Sequence, residues 1–240
     1  MPLPKIDLPT YDLTVPSTGK TIKVRPFTVK EEKLLLMALE SKSDSDIVST
    51  IKQVINNCML DGDIPVEKMP FFDIDYIFVF LRAKSIGETV QVKLTCNNIV
   101  DGKECGNSFP AEMNISNVTL EKDEDINDDI RLTARSGVKM KYPDYSIMRH
   151  IESLPEIEKK TEIIIASIDY IYDDKGMYKH TDYTKDELKE FIEGLTEESY
   201  GKLENYIDNF PAVAAQLEAK CTKCGFEHKV RYTEFFDFFM

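Results

Sequence analysis

Four cysteines, arranged as two widely separated pairs, constrain the fold more than any other feature of this sequence. Cys96 and Cys105 form the first pair, Cys221 and Cys224 form the second, and a glycine follows each pair. Two thiolates on a tight turn that ends in glycine are typical of a zinc knuckle, because glycine readily adopts positive φ. The second pair has the regular Cys-x-x-Cys spacing, whereas six extra residues lengthen the first.

The residues beside both pairs predict β-strands. Polar and apolar side chains alternate over residues 91–96 and 226–232, as in a strand with one buried face. Two knuckles on such hairpins predict a zinc ribbon in which all four thiolates bind one ion tetrahedrally. Such a site is structural, because four thiolates leave no open position for a substrate.

Disulfides and free thiols are the alternatives to a metal site. A Cys-x-x-Cys redox motif usually opens a helix, whereas a turn and a strand follow this one. Cys58, the fifth cysteine, falls on the apolar stripe of a helix predicted from about residue 44 to 60, so we expect it in the core.

The cysteine pairs also bear on domain organisation. A shared ion would close a loop of more than one hundred residues and make residues 1–240 a single structural unit. Within this unit we predict a zinc ribbon of residues 88–114 plus 216–234, an N-terminal helical part of residues 28–86, and a helical insertion of residues 144–210. The expected fold class is α+β: a largely helical protein with an N-terminal β-hairpin and a split, zinc-ribbon-like β element.

Helix starts are marked by paired capping residues. Thr28 is followed three positions later by Glu31, and Thr184 is followed by Glu187. A threonine and a glutamate at this spacing predict a capping box, in which each side chain accepts a hydrogen bond from the backbone of the other residue.

Charge and hydropathy exclude several classes of protein. The net charge of −13 opposes binding to nucleic-acid phosphates, and we find no basic patch that offsets it. No stretch approaches a transmembrane span, and the N-terminus predicts no signal peptide. We therefore expect an intracellular chain in a reducing compartment, which favours metal binding over disulfides.

Motifs for catalysis or ligand binding are few. Residues 19–21 resemble the end of a P-loop but lack its first glycine and lead into a strand. The acidic tract 121–129 lacks the glycine and the final glutamate of an EF-hand loop. Among the histidines His150, His180 and His228, no pair has the spacing of a zinc protease, and His228 is either an outer donor to the metal or a packed strand residue. We predict no enzyme.

Residues 13–33 and the two cysteine pairs carry a family resemblance. This segment resembles the start of the T-even-type myophage baseplate protein family, its hub-associated members in particular, and the pairs resemble that family's cysteine ribbon. The resemblance implies a virion or assembly protein of a contractile-tailed phage, assembled in the host cytoplasm. It implies contacts with other baseplate and tail proteins and no catalytic residues, nucleic acid, membrane or small-molecule substrate. The alternatives are a zinc-ribbon nucleic-acid adaptor and a transient assembly chaperone absent from the virion.

The C-terminal tail is the remaining candidate for partner binding. It is rich in large apolar residues: Phe235, Phe236, Phe238, Phe239 and Met240. Burying one phenylalanine contributes about 1.5–3 kcal/mol, so leaving several in water promotes aggregation. The tail therefore either folds back on the chain's own helices or docks, through its phenylalanines, on a neighbouring baseplate subunit.

Overall fold

The computed structural model describes residues 6–61, 64–116, 118–151 and 154–233. The chain divides into two compact units. The first contains Met1–Val66, Phe72–Glu121 and Ala212–Met240, and the second contains Glu67–Phe71 and Lys122–Pro211. The second unit is therefore inserted in the sequence of the first.

Groups of strands and groups of helices follow one another along the described chain. In order they are β1 (Tyr11–Thr14), β2 (Thr21–Val24), α1 (Val29–Ser41), α2 (Asp44–Cys58), α3 (Phe71–Ser85), β3 (Thr89–Thr95), β4 (Ile99–Val100), β5 (Lys103–Glu104), β6 (Ser108–Asn114), β7 (Thr119–Glu121), β8 (Asp129–Arg131), β9 (Gly137–Met140), α4 (Ile147–Ile151), α5 (Glu156–Ser167), β10 (Ile168–Asp173), β11 (Gly176–Lys179), α6 (Lys185–Glu193), α7 (Glu197–Asp208), β12 (Ala212–Lys220) and β13 (Glu227–Tyr232). Single turns of 3-10 helix lie at Val66–Lys68 and His180–Asp182.

Antiparallel pairing organises the strands of both units. The first unit contains the hairpins β1–β2, β3–β6 and β4–β5 and a sheet of order β13-β12-β7. The second contains a four-stranded sheet of order β11-β10-β9-β8. The predicted N-terminal hairpin is confirmed, with Tyr11 opposite Val24 and Thr14 opposite Thr21.

The prediction of a largely helical protein is wrong. Thirteen strands lie in the described part of the chain, and the fold is mixed α+β. Within the segment 144–210, which was predicted to be helical, α5 ends at Ser167 and the chain continues as the strand β10. The β-branched and aromatic residues after Ser167 suit a pleated strand, and β10 pairs with β9 on one side and β11 on the other.

Alternation along β3 and β6 builds the core of the first unit near the cysteines. One face of this hairpin points inward, and β12 supplies a further row of buried side chains. The buried apolar residues of this cluster include Val90, Leu94, Phe109, Ala111, Met113, Val213, Ala215 and Leu217, together with Cys96 and Cys221. Each large apolar side chain buried here contributes about 1.5–3 kcal/mol.

The second unit has its own core between its sheet and its helices. Apolar side chains from β8, β9 and β10 pack with those of α5, α6 and α7. The buried members include Ile130, Val138, Met140, Ile164, Ile165, Ile168, Leu188, Ile192, Leu203, Tyr206 and Ile207. Every described residue of this cluster belongs to the second unit.

Both predicted capping boxes are confirmed. The Glu31 carboxylate accepts a hydrogen bond from the Thr28 backbone N–H at 2.7 Å, and it also accepts one from Arg25 at 2.9 Å. The Glu187 carboxylate accepts one from the Thr184 N–H at 2.8 Å, and the Thr184 hydroxyl accepts one from the Glu187 N–H at 3.3 Å. These bonds satisfy backbone donors that a helix start leaves without intrahelical partners.

The buried carboxylate of Glu31 is held in its charged form. Burial raises its pKa, but the hydrogen bonds from Arg25 and Thr28 outweigh burial and lower the pKa to about 2 from an ordinary value of 4.5. The Arg25 side chain also donates to the sulfur of Cys58 at 3.7 Å. Cys58 is fully buried, as predicted, and burial raises the pKa of its thiol to about 11.

We expect Glu31→Gln to lower the free energy of unfolding at neutral pH by about 1.5–3 kcal/mol, because it weakens hydrogen bonds to a charged group. The folded-state pKa lies below the ordinary one, so this stabilisation is complete above pH 4.5 and is lost as the pH falls towards 2. Urea unfolding of both proteins across this range should show the two stability curves converging in acid. A constant separation between the curves would contradict the assignment.

Candidate metal centre

The four paired cysteines come together in the first unit. Their sulfur atoms all lie within 4.8 Å of one another. Cys96 Sγ lies 3.6 Å from Cys224 Sγ, and Cys105 Sγ lies 4.0 Å from Cys221 Sγ. Zinc–sulfur bonds of about 2.3 Å in a tetrahedron would place the sulfurs about 3.8 Å apart. The spacing therefore suits one ion shared by all four sulfurs, and it is far longer than a disulfide bond.

The second cysteine pair forms a closed backbone turn at the end of the β12–β13 hairpin. The Cys221 N–H donates to the Phe226 carbonyl at 2.8 Å, and the Gly225 N–H donates to the Cys221 carbonyl at 3.0 Å. Gly225 has a φ of 74°, the left-handed conformation that glycine adopts without the clash of a Cβ. This turn points both thiols of the pair to the same side.

The first pair forms the same turn despite its longer spacing. The Cys96 N–H donates to the Asn107 carbonyl at 2.9 Å, and the Gly106 N–H donates to the Cys96 carbonyl at 3.0 Å. The extra residues form the separate β4–β5 hairpin. A hydrogen bond of 2.8 Å from the Cys105 N–H to the Asn98 carbonyl closes the base of that hairpin. Without the hairpin, the sequence would read as a regular Cys-x-x-Cys-Gly.

Amide groups of the first knuckle donate to sulfurs of the second. Asn98 Nδ2 lies 3.7 Å from Cys224 Sγ, and Asn107 Nδ2 lies 3.6 Å from Cys221 Sγ. Neither asparagine was identified from the sequence, although Asn98 is two residues after Cys96 and Asn107 directly follows Gly106. Their N–H groups stabilise negative charge on sulfur and so favour the thiolate form that a metal binds.

The thiols of the cluster have unequal acidities. Burial raises the pKa of Cys221, but N–H groups of Cys224, Lys223 and Asn107 outweigh burial and lower the pKa to about 6. Hydrogen bonding, first of all from the Phe226 N–H, also lowers the pKa of Cys224.

Cys96 shows the opposite shift. Burial dominates and raises the pKa of its thiol to about 12. Cys96 and Cys221 are buried, and Cys105 and Cys224 are partly buried. Four thiols in such a setting suit a cation, since a metal ion offsets the cost of burying negative charge on sulfur.

His228 is a packed strand residue in this structure. Its ring centroid lies 5.8 Å from that of Phe109 and 4.9 Å from that of Phe226. The buried Nε2 atom has no hydrogen-bond partner among the described residues. These contacts explain the burial of the His228 ring by aromatic packing.

Other predictions from the sequence concern the C-terminal tail, the acidic tract and the lack of a membrane span. Phe235, Phe236, Phe238 and Phe239 fall outside the described residues. In the described ranges, the four cysteines are the one group of three or more His, Cys, Asp or Glu side chains close enough to share a metal, so the acidic tract 121–129 shows no such arrangement. No described helix is long and apolar enough to cross a membrane.

We expect Gly225→Ala to lower the free energy of unfolding by about 1–2 kcal/mol, because alanine is strained at positive φ. The space for a Cβ is open, with the nearest atom, Lys220 Cε, at 3.7 Å, so the backbone alone sets the cost. Gly225→Asn should cost less, since asparagine tolerates this conformation.

Gly201→Ala is the matched control for this prediction. Gly201 lies inside α7 with open space around it, so alanine there should raise stability by about 0.5–1 kcal/mol. Urea unfolding of the three variants would measure these differences. The same direction of change at Gly225 and Gly201 would refute the conformational requirement at the knuckle.

Comparison with models of protein families gives a match over nearly the whole chain. The family model described as T4 bacteriophage base plate protein matches residues 8–240, which include both cysteine pairs. No curated protein and no solved structure gives a significant match.

Proposed function

Because the chain belongs to the T4 bacteriophage base plate protein family, we propose that it is a structural or assembly component of the hub region of a contractile phage tail. The observation that carries this proposal is the family match over residues 8–240. Membership supports a structural role in the baseplate of the virion tail. The hub location, assembly in the host cytoplasm and the absence of enzymatic activity are our inferences.

We propose that the protein works through contacts with other baseplate and tail proteins. Apolar side chains exposed at the surface of the first unit are available for such contacts. Ile99 is 64% exposed in the β4–β5 hairpin beside the cysteine cluster, and Val29 and Met37 are similarly exposed on α1. The tail phenylalanines, Phe235, Phe236, Phe238 and Phe239, are proposed as further docking residues.

We propose that the cysteine centre binds one structural Zn²⁺ ion. Cys96, Cys105, Cys221 and Cys224 supply four sulfur donors at suitable spacing, and thiolates are preferred zinc ligands. A bound zinc ion would contribute its binding free energy to folding. The protein's part is to hold the two knuckles against each other and to stabilise the thiolates with amide donors.

We further propose that this centre unites the chain into one cooperative unit of residues 1–240. The ribbon of residues 88–114 and 216–234 draws its ligands from both sides of the inserted second unit. The helical part of residues 28–86 and the insertion containing residues 144–210 would then unfold together with the ribbon when the ion is removed.

We expect the purified protein to contain one zinc ion per chain, measured by elemental mass spectrometry. Cys221→Ser should abolish stoichiometric zinc and lower the melting temperature by roughly 10 °C, since a loss of about 4 kcal/mol has this effect in a chain of this size. Cys58→Ala is the control, because Cys58 is buried away from the cluster, and it should keep one zinc ion. A zinc-free protein whose melting temperature is unchanged in Cys221→Ser would disprove a structural metal.

We expect the protein in purified mature phage particles at a fixed ratio to other baseplate proteins, measured by quantitative mass spectrometry. Its absence from particles, with presence in assembly intermediates, would identify a transient assembly chaperone instead. A gel shift with nonspecific DNA tests the nucleic-acid adaptor, and the net charge of −13 predicts no shift.

Deleting residues 235–240 extends the same measurement to the tail. If the tail docks on a neighbouring subunit, the truncated protein should stay folded and disappear from the particles. If the tail instead packs on its own chain, truncation should lower the melting temperature of the isolated protein.

A further inference from the structure

The second unit contains a cavity of about 670 Å³, within the range of about 300–1,000 Å³ that is usual for ligand pockets. It is formed by residues from α4, α5 and α6, from both 3-10 turns and from the segment after β9. Basic side chains make up a large share of its lining: Lys68, Lys141, His150, His180 and Lys185. These residues are scattered in sequence, so no local motif marks the site.

The cavity reverses the charge balance of the chain. Its three lysines face two carboxylates, Asp144 and Glu162, whereas the whole chain carries a net charge of −13. Locally positive clefts in acidic proteins concentrate anions, because the field inside a cleft depends on the nearest charges.

Both carboxylates of the cavity already have partners within the protein. Glu162 is buried, and its carboxylate lies 2.8 Å from Lys185 Nζ and 3.4 Å from His150 Nε2. Asp144 accepts hydrogen bonds from the Ser146 backbone N–H, at 3.1 Å, and from the Ser146 hydroxyl. These two acids are therefore engaged in holding the wall of the cavity.

Lys68 and Lys141 have no ion-pair partner in the part of the chain that the structure describes. Burial lowers the pKa of His180, and the positive charge of Lys141 lowers it further. The His180 ring is then neutral near pH 7 and offers one N–H donor beside that charge. An anion would satisfy the donor and the two ammonium groups together.

Apolar side chains also line the cavity. Ile165 and Leu188 are buried members of the second unit's core, and Tyr142, which packs against that core, lines the cavity as well. Apolar surroundings that exclude water strengthen a charge-assisted hydrogen bond. The combination suits an oxygen anion carried on a small apolar body.

We propose that this cavity is an anion-binding site in which Lys68, Lys141 and His180 hold a carboxylate or phosphate group. The proposal is independent of the metal centre and of the baseplate role, because it concerns only residues of the second unit. A carboxylate would come from an acidic peptide segment or an organic acid, and a phosphate from a phosphorylated small molecule.

Titration of the isolated protein with succinate and, separately, with inorganic phosphate tests the proposal. Histidine-labelled protein at pH 7.5 and constant ionic strength would be followed by NMR. We expect the ring signals of His180 and His150 to shift along a saturable curve, with a dissociation constant of about 1 mM or tighter for the preferred anion. His228 lies in the ribbon and should not shift. The anion with the lower dissociation constant identifies the ligand class.

Anion binding by matched lysine variants distinguishes a specific site in the cavity from nonspecific attraction to positive charge. Lys141→Gln and Lys68→Gln should each weaken binding roughly tenfold, because each removes a charge-assisted hydrogen bond. Lys202→Gln alters an exposed lysine of the same unit that does not line the cavity and should leave binding unchanged. An unchanged midpoint of urea unfolding, followed by the ring signals of His150 and His180 without added anion, shows that the second unit of each variant is folded.

Two results would overturn the anion site. One is a shift of the His180 signal that stays linear with concentration for both anions, because a shift without saturation reports a general effect of salt and not binding at a site. The other is an equal dissociation constant in Lys141→Gln, Lys68→Gln and the unaltered protein, which would show that neither lysine contacts the anion.

Discussion

The meeting of two distant cysteine pairs is the contact on which the first unit depends. Cys105 and Cys221 are 116 residues apart in sequence, and closing a loop of that length costs about 4 kcal/mol of chain entropy. In the part of the chain that the structure describes, the β3–β6 hairpin pairs with no third strand, and an isolated two-stranded hairpin is marginal in water. Apolar packing against β12 offsets this entropy, and the proposed ion would offset more of it, so we expect the knuckles and the core around them to form together.

The clustering of the two cysteine pairs and the strands beside them could be predicted from sequence because their signals are local. Cys-Gly pairs, alternating strands and capping boxes each occupy a few adjacent residues, and their backbone requirements are specific. The hairpin between Cys96 and Cys105 obscured the regular spacing without changing the turn. Only the paired geometry shows that Asn98 and Cys105 close the insertion at its base.

The strand β10 lacks such a local signal. In Ile164, Ile165 and Ile168 the helical spacing of α5 runs on past its actual end, and nothing before Ser167 signals the change. The sequence predicts residues 216–220 of β12 as part of the ribbon, although alanine, leucine, glutamate and lysine favour a helix by intrinsic propensity. Pairing with β7 and β13 overrides that preference. The cavity lined by basic side chains could not be predicted from sequence either, since Lys68 and Lys185 are brought together only by tertiary structure.

The β4–β5 hairpin lengthens the segment between Cys96 and Cys105 without changing the turn that positions their sulfurs. One backbone hydrogen bond fastens the two ends of the hairpin, and residues 101–104 at its tip are exposed. Exposed tips of this kind accept inserted sequence readily. The hairpin is therefore a suitable place to graft an epitope or a fluorescent label, which would let the protein be located inside an assembled particle while both cysteine pairs stay intact.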